Sequence, residues 1–295
     1  MDFHRGELAV QERVGVRQQA AKIGGSIHRA VPPAAGVFLE QRRFVVLATA
    51  DPNGRAWASI LTGSPGFASA PHPLEVRIHA SPAPGDPLDE NLETSRFAGL
   101  LAIDLATRRR MRVNGGLERG ADGEIVIRVE QIYSNCPKYI QRRMLEREDT
   151  GRAAGLLRRA GHLTEEQRAW LRRADTFFIA TLNPEEGADA SHRGGMPGFI
   201  EVEGNRLVWP EYAGNMMYNT LGNIAIHPRA GLVVPDFSSG SVLQLTGRAG
   251  ILWSGGDVPG AERRVEVEVA DVVEIAGVLP PAEEVEYSPF NPRQT

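Results

Sequence analysis

The sequence predicts a mainly β chain made of two tandem copies of one domain, each a barrel or sandwich with a few peripheral helices. Three observations carry this: an internal repeat at one fixed offset, many short strand-like runs closed by Gly/Pro turns, and few helical patterns. Ala48-Thr49 meets Ala180-Thr181, a shift of 132 residues (180 − 48). The same shift aligns Pro65-Gly66-Phe67 with Pro197-Gly198-Phe199, Ala98-Gly99-Leu100 with Ala230-Gly231-Leu232, Asp104 with Asp236, and Gly115 with Gly247. No gap is needed from about residue 44 to about 116, so the chain is a duplication. Its period far exceeds the roughly 20–50 residues of a solenoid unit. Each copy is domain-sized, and two copies in one chain imitate a symmetric dimer.

Along the chain, ELAVQERVGVRQQAAKI (7–23) reads as an amphipathic helix ahead of the first copy. FVVLATA (44–50) is a buried-type strand stopped by Asp51-Pro52-Asn53-Gly54. Strands follow at LEVRIHA (74–80), AGLLAIDL (98–105), RRMRVNG (109–115) and EIVIRVEQI (124–132). PKYIQRRMLERE (137–148) reads as a helix, and Thr164 to Gln167 as a capping box opening another. The second copy has strands at TFFIATL (176–182), NRLVWP (205–210), AGLVVPDF (230–237), SVLQLTGRAGIL (241–252) and RRVEVEVADVVEI (263–275). The Pro-rich end predicts an extended tail lying across another surface. The expected division is a helical segment 1–43, a first copy 44–135, connecting helices 136–175, a second copy 176–276 and a tail 277–295.

At 295 residues, 42% apolar and 24% charged, the composition is that of an ordinary globule with a sizeable core. The net charge of −4 and the mixing of Arg with Glu and Asp in the basic runs argue against nucleic acid. The longest apolar run is too short to span a bilayer, and the N-terminus lacks a signal-type apolar core. Cytoplasmic residence is the default. The single Cys136 excludes an internal disulfide, and the dispersed histidines make a metal cluster unexpected.

One difference between the copies bears on chemistry. ASILTGSPGFA (58–68) becomes ASHRGGMPGFI (190–200), so the second loop gains His192, Arg193 and a second glycine. Glycines admit close backbone approach, and an arginine fork suits phosphate; an ordinary Gly-Pro turn with an exposed arginine is the plainer reading of this segment taken alone. The segment WPEYAGNMMYNTLGNIAIHPRAGLVV (209–234) predicts strand, loop, helix, strand, with Asn215, Asn219, Thr220 and Asn223 on one helix face. A helix start there would offer free N–H groups to an anion. The first copy has PAPGDPLDENLETSRFAGLL at that place, with prolines and acids, so the ligand-binding half is expected to be the second. Arg108, Arg110 and Arg112 alternate along a strand and share a face, either at the ligand or as a solvated edge; their counterparts are Gly240, Val242 and Gln244.

These motifs resemble the pyridoxamine 5′-phosphate oxidase-like FMN-binding split-barrel superfamily, over most of 40–275 and most strongly at 176–250. The resemblance implies two tandem split barrels forming an intramolecular pseudo-dimer, with FMN in the groove between them. It implies a cofactor set of Ser191, His192, Arg193, Gly194, Gly195, Asn215, Met216, Asn219 and Thr220 from the second copy, joined by Lys138, Tyr139, Arg110, Arg112 and Gln244. Relatives carry Ser, Arg or Lys where this chain has asparagines near the phosphate, so a cation is expected from elsewhere: the Arg108, Arg110 and Arg112 set or Lys138. A true pyridoxamine-phosphate oxidase is not expected, because the tail lacks tryptophan and offers only Arg293. The implied activity is a flavin-dependent oxidoreductase acting on a small-molecule substrate with an electron donor such as NAD(P)H; the other class is a non-catalytic carrier of haem, F420 or flavin. No catalytic residue is singled out, one FMN per chain is expected, and further pairing of chains is left open.

Overall fold

The computed structural model describes residues 3–145, 154–282 and 284–292. Three helices come first: α1 (Arg5–Arg13), α2 (Arg17–Gly24) and α3 (Pro33–Glu40). The first copy follows as β1 (Phe44–Ala50), β2 (Ala56–Thr62), β3 (Ala68–His72), β4 (Glu75–Ile78), α4 (Leu88–Thr94), β5 (Phe97–Asp104), β6 (Arg109–Arg119) and β7 (Ile125–Asn135). β8 (Gly155–Ala160) and α5 (Glu165–Arg173) lead into the second copy: β9 (Thr176–Asn183), β10 (Gly187–Gly194), β11 (Glu201–Glu203), β12 (Arg206–Tyr212), α6 (Asn219–Ile226), β13 (Arg229–Asp236), β14 (Ser241–Leu252) and β15 (Ala261–Ala276).

The two sheets have the same connectivity. Strand order is β2-β1-β5-β6-β7-β4-β3 in one and β10-β9-β13-β14-β15-β12-β11 in the other, which is the same path read in each repeat. Even the irregularity repeats: pairing shifts register between Asn114 and Gly115, and again between Thr246 and Gly247. A one-residue slip would exchange the two faces of a strand, so equal apolar patterns at a fixed offset yield equal registers. The two tandem split barrels expected from the sequence are thus present.

Each barrel has its own core, one around Leu47, Leu100 and Val113 and the other around Ile179, Leu232 and Leu245. A third core lies between them and draws on both copies, including Trp57, Ile60, Phe178 and Val233. Two related glycines make this contact possible. A Cβ on Gly99 would lie 2.4 Å from the Ala188 carbonyl oxygen, and one on Gly231 would lie 2.3 Å from that of Ala56. Gly99 and Gly231 are repeat partners, as are Ala56 and Ala188, so the contact obeys a pseudo-two-fold.

Several local expectations are corrected. The first long helix is two, interrupted where Gly15 takes a left-handed φ of 74°. Residues 137–145 are not a helix but an irregular strap, with Tyr139 at φ 66°; residues 146–148 of that expectation lie outside the described residues. Among the described residues, the connecting region 136–175 holds one helix, α5, with the expected Thr164–Gln167 capping box, and a strand, β8, that joins the second sheet beside β15. The short β2 and β10, read from sequence as parts of loops, are full strands paired to β1 and β9. Within the described part of the tail, Arg142 and Glu286 exchange two backbone hydrogen bonds, clamping it to the strap. No helix among the described residues is long and apolar enough to cross a membrane.

Candidate functional site

A cleft of about 880 Å³ of empty space, counted with its open mouth, lies where the two repeats meet. Its walls come from the start of β6 and the strap in the first repeat, and from β10, the end of β12 and the start of α6 in the second. It gathers Arg110, Arg112, Lys138, Tyr139, His192, Arg193, Gly194, Asn215, Met216, Asn219 and Thr220, residues spread over more than a hundred positions. Ser191 stands just beneath, bonded to Arg112 and, at 3.0 Å, to Thr220.

Arg112 is the cation that reaches across. It leaves β6 of the first repeat and meets Ser191, Asn219 (3.4 Å), the Tyr133 hydroxyl (3.3 Å) and Asp189 (3.8 Å). Burial works against its charge, but Tyr133 and Asp189 outweigh burial and hold its pKa above the ordinary arginine value. Arg110, two residues back on the same face, is different. Its Nε donates to the Cys136 carbonyl at 3.1 Å, and no ion pair is formed to it among the described residues. Burial, then the neighbouring Arg112 and Arg193 charges, push its pKa down to about 9. Buried like charges of this kind favour an anion in the cleft. Arg108 departs from the expected shared face: it sits at φ 55° in the preceding turn and binds Glu286 and the Ile140 carbonyl.

Arg193 does not present the free fork read from the sequence. It is bidentate to Glu211, at 2.6 and 3.0 Å, and Glu211 also accepts from the Trp209 indole. Its charge is matched inside the protein. His192, read as a loop residue, is a strand residue of β10, 3% exposed. Neither ring nitrogen has a hydrogen-bond partner, and burial followed by the surrounding arginines drives its pKa well below the usual histidine value. It is a neutral imidazole in the cleft wall with one donor and one acceptor unused.

The loop before α6 is strained. Met216 and Tyr218 adopt φ of 62° and 63°, and Tyr218 caps the helix without a side-chain hydrogen bond. Such strain in non-glycine residues collects at ligand sites. Because α6 starts only at Asn219, Asn215 lies in this loop, where its side chain accepts from Met217 N at 3.1 Å. Asn223 points inward to Asp189 (2.7 Å) and Thr181 (3.1 Å). Gly194 is held close to the strap, since a Cβ there would lie 2.1 Å from the Tyr139 carbonyl oxygen. Gly195 packs beneath, donating to the Asp175 carbonyl at 3.0 Å, outside the cleft lining. Tyr139 and Tyr212 place their rings 5.1 Å apart at the mouth. Cys136 lines the cleft but opens no helix.

Gln244, the repeat partner of Arg112, is not in this cleft. It is fully buried at the pseudo-equivalent position, donating to the Ala58 carbonyl, Ser59 and Asp86 at 2.9–3.1 Å. Ser59 in turn donates to Asp86 at 2.6 Å, and burial raises the Asp86 pKa. The counterpart of the cleft is therefore filled by the protein's own side chains. The underlying frame persists, since Asn91–Thr49 at 3.0 Å repeats Asn223–Thr181.

Sequence reading missed α1 as part of the site. Cβ atoms on Gly6 and Gly222 would collide with the facing backbone at 2.2 and 2.6 Å, so α1 and α6 pack with their backbones nearly touching. This brings Gln11 to the Met217 carbonyl at 3.1 Å and Glu7 to Asn219 at 2.5 Å. Burial and then Asp189 raise the Glu7 pKa to about 8, against donation from His4 N and Asn219. An ordinary glutamate near 4.5 in the unfolded chain thus binds its proton in the folded state up to about pH 8. By linkage, this group favours folding below about pH 4.5, and that contribution is lost as pH rises to about 8. Glu7→Gln is expected to flatten this loss, so its melting temperature should exceed that of the parent at pH 8.5 by more than at pH 5. Equal differences at both pH values would refute it.

Residues 163–286 match the family model described as Pyridoxamine 5′-phosphate oxidase. No curated protein matches the sequence. Similar solved structures include a proposed pyridoxamine 5′-phosphate oxidase from Lactobacillus delbrueckii, at 18% identity over 40% of this chain and 97% of that one, TM-score 0.32. An FAD-binding protein from Mesorhizobium loti follows at 13% over 39% and 95%, TM-score 0.28. The haem storage protein HutZ of Vibrio cholerae is similar at 9% over 44% and 96%, TM-score 0.23.

Proposed function

Taking as premise that the second repeat is a split barrel of the pyridoxamine 5′-phosphate oxidase-like superfamily, we propose that this chain binds one FMN in the cleft and is a flavin-dependent oxidoreductase acting on a small molecule. The observation that carries this reading is the joint construction of the cleft, with cations from the first repeat converging on the uncapped start of α6 in the second. The residues suit the group. Arg112, Ser191, Thr220 and the first N–H groups of α6 form a phosphate-type donor set, to which the orphaned Arg112 Nε adds another donor. Lys138 and Arg110 also line the cleft and are further cations for the phosphate or the polar edge of the flavin ring.

A bound flavin would supply the redox chemistry, and the protein its binding, orientation and electrostatics. In that division Arg112 anchors, Tyr139 and Tyr212 restrict water at the mouth, and His192 offers a neutral nitrogen either to donate or to accept. The protonated Glu7 keeps a further negative charge away from the anion end near neutral pH. An electron donor, NAD(P)H being one candidate, completes the scheme.

The test is the visible spectrum of the purified chain, with the chromophore released by heat and counted against protein. Bands near ~370 and ~450 nm, the flavin pattern, with one FMN per chain are expected. A Soret band would instead give the cleft to haem, with His192 the imidazole among its lining residues. A chain that takes up no added FMN would sink the flavin reading.

A further inference from the structure

Beside the cleft, on the first repeat, lies a second hollow that shares Arg110 and Asn135 with it. It holds about 1230 Å³ of empty space counted with its mouth, more than the cleft itself counted the same way. Its apolar walls are Pro32, Ala35 and Phe38 of the α3 region, Met111 and Ile132 from the sheet, and Pro137 of the strap. Among the described residues, no aspartate or glutamate lines it.

The charge at its rim is positive and only partly matched. Of the three arginines in the β6 turn, Arg108 is bound to Glu286. Arg42, which stacks on Phe38 at 4.2 Å, pairs with Asp104 at 3.2 Å. Arg109 stacks near the same ring, at 5.2 Å, and makes no ion pair among the described residues; nor does Arg110. Arg110 follows Arg109 along the strand and turns its guanidinium to the cleft side, beside Arg112, so the unpaired cation of this trough is Arg109. An apolar trough edged by one unpaired guanidinium recognises one chemistry well: a flat apolar body bearing an anionic head.

We propose that this groove binds an organic anion, its apolar body against Phe38, Ala35 and Ile132 and its carboxylate-type head at Arg109.

The test is calorimetric titration of the full chain, FMN-loaded and cofactor-free, with 2-naphthoate and with its neutral amide. Naphthoate is expected to bind at least about 10-fold more tightly than the amide, as one charge-assisted hydrogen-bond pair would give. Arg109→Glu should abolish that preference, and Ala35→Trp should weaken both ligands by filling the trough. Equal affinity for acid and amide, or naphthoate binding unchanged in both variants, overturns the proposal. If Ala35→Trp fails to fold, the exposed Arg109→Glu decides alone. FMN uptake is read separately by absorbance. A chain that loads FMN but shows no acid preference loses the groove and keeps the flavin reading; one that refuses FMN but shows the preference does the reverse.

Discussion

Arg112→Gln, which places in the cleft the residue found at its repeat partner, is expected to weaken FMN binding by roughly 100-fold, within the range for truncating one partner of a buried charge pair. The same change leaves Asp189, 7% exposed, without its cation. Breaking a buried pair in this way costs about 3–5 kcal/mol, so a lower melting temperature should accompany the lost affinity. The double variant Arg112→Gln with Asp189→Asn separates the two effects. It should regain much of the stability, because no buried charge stands alone, yet remain deficient in FMN, because the anchoring cation is still missing. Flavin retention on gel filtration and thermal unfolding of the three variants measure this. Full flavin content in the single variant would remove Arg112 from the phosphate set.

Gly99→Val and Gly231→Val should each destabilise the chain strongly, and by similar amounts. Both insert side chains where the facing backbone oxygen lies 2.3–2.4 Å from the first added carbon. Backbone cannot yield as a flexible side chain would, and overpacking of cores costs about 1–3 kcal/mol or more. Chemical denaturation is the readout. A valine tolerated at one position and not at the other would mean that the pseudo-two-fold contact is not shared equally between the repeats.

These two sites differ in how far the sequence foretold them. The glycine pair and the duplicate sheet order follow from matching residues at one offset, and Gly99 and Gly231 are among those matches. Arg110 and Arg112 could be placed on one face from their alternation alone. Which of the candidate cations would be free could not be read, because pairing joins residues far apart. Glu211 lies 18 residues from Arg193 and takes its fork; Asp189 lies 77 residues (189 − 112) from Arg112 and only balances it. Gln244, expected in the cofactor set from the resemblance, instead fills the opposite cleft with its own hydrogen bonds.

The sequence by itself determined the duplication, the β character and the unequal loop composition of the two halves, since local apolar periodicity, turn residues and the repeat offset are all properties of neighbours along the chain. Only the tertiary structure decided what the strap after β7 becomes, where α1 docks, and which arginines remain unpaired beside a cleft. Those outcomes depend on burial and on contacts between distant segments. The Gly6–Gly222 approach that carries Glu7 to Asn219 has no local pattern to announce it. Helix propensity in PKYIQRRM yields for the same reason: the strap gains more by binding Gly195 through Gln141 and Asp175 through Arg143 than an isolated short helix could gain alone.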